Sequence, residues 1–120
     1  MGCRELGRNP YLSREEMIDW QLARIRELVT HAFETVPLYR ELYSGVGFEP
    51  GDLRGWEDFR RLPLLTKDHL ISCYPDRATS RRFRDADLIV SRSSGSSGQV
   101  LDVAYPAETL INYTIATLRV

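Results

Sequence analysis

The sequence predicts an α+β fold that is helical over residues 14–75 and continues over 87–120 with a β-hairpin and a helix. Two patterns support this prediction. Apolar residues recur three and four positions apart in the first half, which is typical of amphipathic helices. A serine- and glycine-rich run then separates two stretches whose residues are typical of strands. With 120 residues, 42% hydrophobic and 28% charged, the chain can bury one modest core as a globular domain.

The longest predicted helix covers residues 14–36. Ser13 and Glu16 have the spacing of a capping box, in which a hydroxyl and a carboxylate satisfy two free backbone N–H groups at a helix start. Pro37 is expected to interrupt this helix, because proline cannot continue the backbone hydrogen bonding. The apolar face of the predicted helix contains Ile18, Leu22, Ile25, Val29, Ala32, Phe33 and Val36.

Three shorter helices are predicted before the strands. The first covers residues 38–44, with Gly45 expected to take the left-handed conformation that ends it. The second covers 56–61 and has an apolar edge. Thr66 is expected to cap the third, which covers 67–73.

The last third of the chain predicts a β-hairpin and one more helix. In a strand over 100–105, Leu101, Val103 and Tyr105 share one face, which is apolar. Residues 88–92 are predicted to be the other strand, so the intervening loop should join two antiparallel strands. Pro106 suits the first turn of a helix over 107–119. That helix has no stop signal, so the chain is expected to be incomplete.

Composition limits the classes of function. Sixteen basic and seventeen acidic residues give a net charge of −1, which argues against a general attraction to nucleic acid. No apolar run approaches the roughly 20 residues of a membrane span, and a signal peptide is not evident, so a cytoplasmic protein is predicted. Cys3 and Cys73 are far apart, and neither His31 nor His69 has zinc spacing, so free thiols and no metal site are predicted. A basic cluster is interpreted as solvated surface: Arg81, Arg82 and Arg84.

The strongest candidate site is the loop between the two strands. Glycines permit backbone N–H groups to converge on one anion, and serine hydroxyls add rotatable donors. The run lacks the lysine and glycine spacing of the Walker loop, the dinucleotide fingerprint and the hydrolase elbow. A flexible linker and a hairpin turn without ligand remain alternatives. The candidate phosphate-binding residues are Ser93, Ser94, Gly95, Ser96, Ser97, Gly98 and Gln99.

This run resembles the phosphate-binding loop of adenylate-forming enzymes, whose pattern is Ser/Thr-Ser-Gly-Ser/Thr-Ser/Thr-Gly. Residues 93–98 match every position. The segments 21–40, 62–68 and 74–75 resemble, in the same order, the N-terminal region of phenylacetate-CoA ligases and their capsular-polysaccharide-type relatives. The resemblance covers residues 17–120. Gln99 and Val100 depart from it, because the family commonly has lysine and proline there.

The resemblance implies the N-terminal portion of an α/β adenylate-forming ligase. Such enzymes use ATP and Mg²⁺ to convert a carboxylate into an acyl-adenylate, and coenzyme A then displaces AMP. The family's other catalytic residues would lie beyond residue 120, so the chain alone is expected to be inactive. Gln99 should weaken ATP binding by roughly tenfold, since a charge-assisted contact contributes about 1.5 to 3 kcal/mol. Arg92 is the nearest cation that can compensate.

Two further interpretations concern a helix start and an alternative function. Thr66 and Lys67 lie in a segment that resembles the same family, but the local pattern favours a structural role at a helix start. The alternative function is a non-catalytic module that keeps the helical N-terminus and uses the loop to bind an anion or a partner. The acyl substrate is not predicted, because no residue of its pocket can be identified.

Overall fold

The computed structural model describes residues 12–93 and 100–109. These residues form a helix-rich unit followed by a two-stranded antiparallel sheet. The helices are α1 (Arg14–Thr35), α2 (Pro37–Gly45), α3 (Trp56–Arg60) and α4 (Lys67–Cys73), and the strands are β1 (Leu88–Arg92) and β2 (Asp102–Pro106). Short 3₁₀ helices cover Pro50–Asp52 and Asp85–Asp87.

The two helix starts predicted from capping signals are confirmed. At α1 the Glu16 N–H donates to Ser13 Oγ at 3.2 Å, and the Ser13 N–H donates to Glu16 Oε2 at 2.8 Å. At α4 the His69 N–H donates to Thr66 Oγ1 at 3.3 Å. Thr66 therefore has the structural role that its sequence context predicts.

The junction between α1 and α2 is a single extended residue. Val36 has φ −113° and ψ 110°, so α1 ends at Thr35, one residue before its predicted end. The cause is Pro37, because the proline ring disfavours helical backbone in the residue before it. Pro37 itself is the first residue of α2, where its missing N–H costs nothing.

The core lies where α1, α2 and the following loop meet. Val29, Tyr43, Phe48 and Leu53 are all at most 8% exposed and form one cluster. The rings of Tyr43 and Phe48 meet edge-on, with centroids 5.7 Å apart. Arg26 Nε donates to the Leu53 carbonyl at 2.8 Å, which joins the loop to α1. Partly buried residues complete the cluster: Ile25, Phe33, Tyr39, Leu42 and Leu62.

Further predicted boundaries differ from the structure. Gly45 is the last residue of α2 and is not left-handed; the left-handed residue is Gly47, with φ 68°, because the chain turns two residues later. α3 ends at Arg60, where residue 61 serves as its C-cap. Pro106 ends β2, and helical backbone begins at residue 107. Residues 110–119 of the last predicted helix lie outside the described residues.

The segment after α4 connects the helical unit to the hairpin. The Leu38 N–H donates to the Arg77 carbonyl at 2.9 Å, and the Arg81 N–H donates to the Thr35 carbonyl at 2.8 Å. Ser80 Oγ also donates to Thr35 Oγ1 at 2.8 Å. These bonds hold the segment against the junction of α1 and α2. The segment then continues into β1.

The hairpin has a regular register. Leu88 lies opposite Pro106, and the pairing continues to Arg92 opposite Asp102. β1 covers the predicted residues 88–92, whereas β2 begins two residues after its predicted start at 100. The predicted hairpin is therefore present, and Arg92 and Asp102 lie at the end that leads into the loop.

Candidate functional site

The candidate site is the end of the hairpin, where the two strands lead into the serine- and glycine-rich loop. Ser93 is the only residue of the predicted phosphate-binding set that falls within the described ranges 12–93 and 100–109. The others, Ser94 to Gln99, lie outside them. The structure therefore describes how the two ends of the loop are held.

Ser93 and Leu101 lie one position beyond the last strand pair, Arg92 and Asp102, and are also joined across the hairpin. The Ser93 N–H donates to the Leu101 carbonyl at 2.9 Å, and the Leu101 N–H donates to Ser93 Oγ at 2.9 Å. A serine side chain therefore replaces the backbone carbonyl that a regular ladder would use. This replacement explains why β2 starts at residue 102 and not at 100. The Ser93 hydroxyl accepts here and keeps its own proton for donation.

Arg92 and Asp102 form an ion pair across the same end of the hairpin. Arg92 Nε donates to Asp102 Oδ1 at 2.8 Å, and Arg92 Nη2 donates to Asp102 Oδ2 at 3.1 Å. The hydrogen bond from Arg92 lowers the pKa of the Asp102 carboxyl group, and the Arg92 pKa is correspondingly raised. The cation expected to compensate for Gln99 therefore has a carboxylate partner. No pattern in the sequence singles out Asp102 for this role.

Two cavities adjoin the hairpin. One of about 280 Å³ lies beside the end that leads into the loop and is lined by Ile71, Tyr74, Arg92, Val100, Leu101 and Asp102. A second, of about 320 Å³, lies between the helical unit and the sheet, with a mainly apolar lining that includes Leu70, Phe83 and Val103. Phosphate prefers cations and N–H or O–H donors, so the second cavity is unsuited to it.

The other predicted residues of interest have structural or surface positions. Arg81, Arg82 and Arg84 are exposed, as predicted, and Arg84 Nε pairs with Asp87 Oδ2 at 3.0 Å. Cys73 is a free thiol, while Cys3 lies outside the described residues. Within residues 12–93 and 100–109 no group of three or more His, Cys, Asp or Glu side chains is placed to hold a metal. No helix in the described part of the chain is long and apolar enough to cross a membrane.

Comparison with solved structures identifies the fold. A 2-hydroxyisobutyryl-CoA ligase in complex with 2-HIB-AMP and CoA in the thioesterification state matches 86% of this chain with a TM-score of 0.72 and 23% identity. An open conformation of this ligase matches 86% with a TM-score of 0.70 and 22% identity. The match covers 23% and 24% of those chains, respectively. The chain therefore has the fold of a part of these CoA ligases.

Comparison of sequences identifies the relatives. A phenylacetate-coenzyme A ligase of Escherichia coli (strain K12) is 30% identical over 107 residues, which are 89% of this chain and 24% of the relative. One of Thermus thermophilus is 34% identical over 99 residues, 82% of this chain and 22% of the relative. No family model matches the chain. By sequence this chain is a homologue of phenylacetate-CoA ligases and spans about a quarter of their length.

Proposed function

We propose that this chain is the N-terminal, phosphate-binding portion of an ATP-dependent ligase that activates a carboxylate. In such an enzyme ATP supplies the activation: the carboxylate attacks the α-phosphorus, pyrophosphate leaves, and the thiol of coenzyme A then takes the acyl group and releases AMP. The homology to phenylacetate-CoA ligases supports the class of reaction. The fold shared with CoA ligase structures is consistent with it. The relation to capsular-polysaccharide-type proteins and the cytoplasmic location stay predictions.

The proposed phosphate-binding element is the loop from Ser93 to Gln99. The observation that supports it is the closed end of the hairpin, where Ser93 and Leu101 exchange two hydrogen bonds of 2.9 Å. Because the loop ends are already joined, part of the entropy of ordering the loop around a ligand is lost before the ligand arrives. The donors available to phosphate are serine hydroxyls and backbone N–H groups, with glycines that permit them to converge.

We infer that the metal and the thiol substrate are bound by other parts of a longer enzyme. ATP-bound Mg²⁺ is usually held by one or two carboxylates besides the phosphates, and we propose that these belong to the part of the relatives that this chain does not cover. Since the chain spans about a quarter of its relatives, we propose that it does not catalyse adenylation alone.

Calorimetric titration of the chain with Mg·ATP tests the phosphate-binding role. Replacing Gly95 and Gly98 together by alanine should weaken binding at least about tenfold, because alanine cannot readily adopt the backbone conformations through which glycine lets N–H groups converge on phosphate. The matched control replaces Gly51 and Gly55 by alanine, since both have open space around an added Cβ and neither has positive φ. The control should bind as the unaltered chain does. Equal heats from all three proteins would refute the loop as the phosphate site.

The alternative, a non-catalytic anion- or partner-binding module, predicts binding of phosphate without a role in adenylation. The two proposals differ in the coding sequence that they require downstream of Val120. A reading frame that continues into ligase sequence supports the enzyme. An immediate stop codon would favour the module.

A further inference from the structure

The position of Arg92 and Asp102 in the ladder makes their side chains the cross-strand connection next to the loop. Ser93 and Leu101 occupy a hydrogen-bonded position, so the neighbouring pair, Arg92 and Asp102, occupies a non-hydrogen-bonded one. At such a position the backbones exchange no hydrogen bond, and the side chains lie closer together than at the other kind. The two N–H···O contacts of 2.8 and 3.1 Å therefore supply the cross-strand connection that the backbone lacks.

The surroundings of the two charges differ. The Asp102 side chain is 23% exposed and the Arg92 side chain 73% exposed, so the carboxylate is the more sheltered partner. Asp102 also lines the cavity of about 280 Å³ beside the hairpin end, together with Tyr74. An exposed guanidinium held by a sheltered carboxylate is fixed in direction, and its charge toward an incoming anion is largely cancelled.

We propose that Arg92 is a positioning residue, which fixes the two ends of the Ser93–Gln99 loop through Asp102 and does not itself bind the phosphates. This inference rests on the proposed phosphate-binding function. It differs from the expectation that Arg92 replaces the missing lysine as a ligand. A ligand role would require Arg92 to bring a net positive charge to the phosphates, and the bidentate bond to Asp102 opposes that.

The two roles predict opposite effects of removing the carboxylate. If Arg92 only positions the loop, Asp102→Asn breaks this connection and weakens binding of Mg·ATP by roughly three- to fivefold, the scale of a cross-strand charge pair. If Arg92 binds phosphate, the same substitution frees its charge and strengthens binding. Arg92→Gln should also weaken binding about three- to fivefold in the positioning role, and the double variant should be no weaker than either single one.

The decisive variant exchanges the charges, with Arg92→Asp and Asp102→Arg combined. A positioning pair should be restored, so that affinity returns to within about twofold of the unaltered chain. Nuclear magnetic resonance should show the Leu101 amide less protected from exchange in each single variant and protected again in the exchanged one. Unchanged exchange within α1 serves as the control that every variant is folded.

Each outcome bears on the inference. Tighter binding by Asp102→Asn, or no recovery in the charge-exchanged variant with α1 intact, would overturn the positioning role and leave the proposed function standing. Absence of Mg·ATP binding by the unaltered chain would overturn the proposed function, and the inference with it. Parallel losses in the single variants and recovery in the exchanged variant would support both.

Discussion

The replacement Leu53→Ala gives the most direct test of the helical scaffold. Leu53 is 2% exposed, packs in the cluster with Val29, Tyr43 and Phe48, and comes directly after the 3₁₀ helix in the loop that contacts α1. Truncation of a buried leucine costs about 2 to 5 kcal/mol, through lost transfer free energy and the cavity that remains. Because the site is enclosed by α1, α2 and one loop, partial collapse is possible, and we expect about 3 kcal/mol.

The assay is urea denaturation followed by tryptophan fluorescence and far-ultraviolet circular dichroism. The matched control is Leu64→Ala, which makes the same chemical change at a side chain that is 89% exposed. The control should change the free energy of unfolding by less than about 0.5 kcal/mol. A loss of about 3 kcal/mol corresponds to a melting temperature lowered by roughly 10 °C for a chain of this size.

Equal losses in the two variants would refute the reasoning, because the difference in burial between Leu53 and Leu64 is its only basis. A loss below about 0.5 kcal/mol in Leu53→Ala would show that the cluster does not form the core in solution. The slope of the unfolding free energy against urea should be the same in both variants, since neither substitution alters the surface exposed on unfolding appreciably.

The remaining predictions concern caps, charges and the loop. Ser13→Ala should lower the free energy of unfolding by about 1 kcal/mol, measured in urea, because the Glu16 N–H loses its acceptor at the start of α1. The pKa of Asp102 is lowered mainly by its hydrogen bond from Arg92. The ion pair therefore stabilises the hairpin end fully above the ordinary carboxyl pKa of about 3.9, and this stabilisation is lost as the pH falls below that value. The Leu101 amide resonance should therefore be unchanged from about pH 8 to 5 and shift below about pH 4, but not in Asp102→Asn. Burial, with a smaller effect of Tyr39, raises the pKa of Tyr43, and burial also raises the pKa of Tyr39, so stability should decline as the pH rises above about 10 and should decline less steeply in Tyr43→Phe, which keeps Tyr39. Gln99→Lys should tighten Mg·ATP binding roughly tenfold by calorimetry, since a charge-assisted bond replaces a neutral one, and Gln99→Met should not.

Local signals in the sequence predict most of the helical unit. The capping serine, the capping threonine and Pro37 each act within four residues, and the ends of α1 and α4 lie within one residue of their predicted positions. The prediction for Gly45 is wrong because a glycine permits a left-handed turn without requiring one. The turn lies instead at Gly47, after the Val46 N–H has bonded to the Tyr43 carbonyl.

The candidate site is predictable only in part, because its contacts join residues far apart in sequence. The antiparallel hairpin follows from alternation and the intervening glycines. The start of β2 does not follow from the sequence, because it depends on the Ser93 hydroxyl accepting a hydrogen bond from the Leu101 N–H. Once that bond fixes the register, Arg92 must lie opposite Asp102. A charge pair of this kind becomes visible from sequence only after the register is known.

The ion pair between Arg92 and Asp102 determines which groups near the loop can attract phosphate. A family member with lysine after the last glycine brings a cation to the phosphates, whereas this chain has Gln99 there and pairs Arg92 with Asp102. Within the described residues, the cation nearest in sequence to the loop is thus neutralised by its partner. Binding would then rest on neutral N–H and O–H donors, which gain less from each phosphate oxygen but are little screened by salt. Affinity for Mg·ATP should consequently depend on how firmly the hairpin end is held, which is the property that Ser93 and Asp102 control.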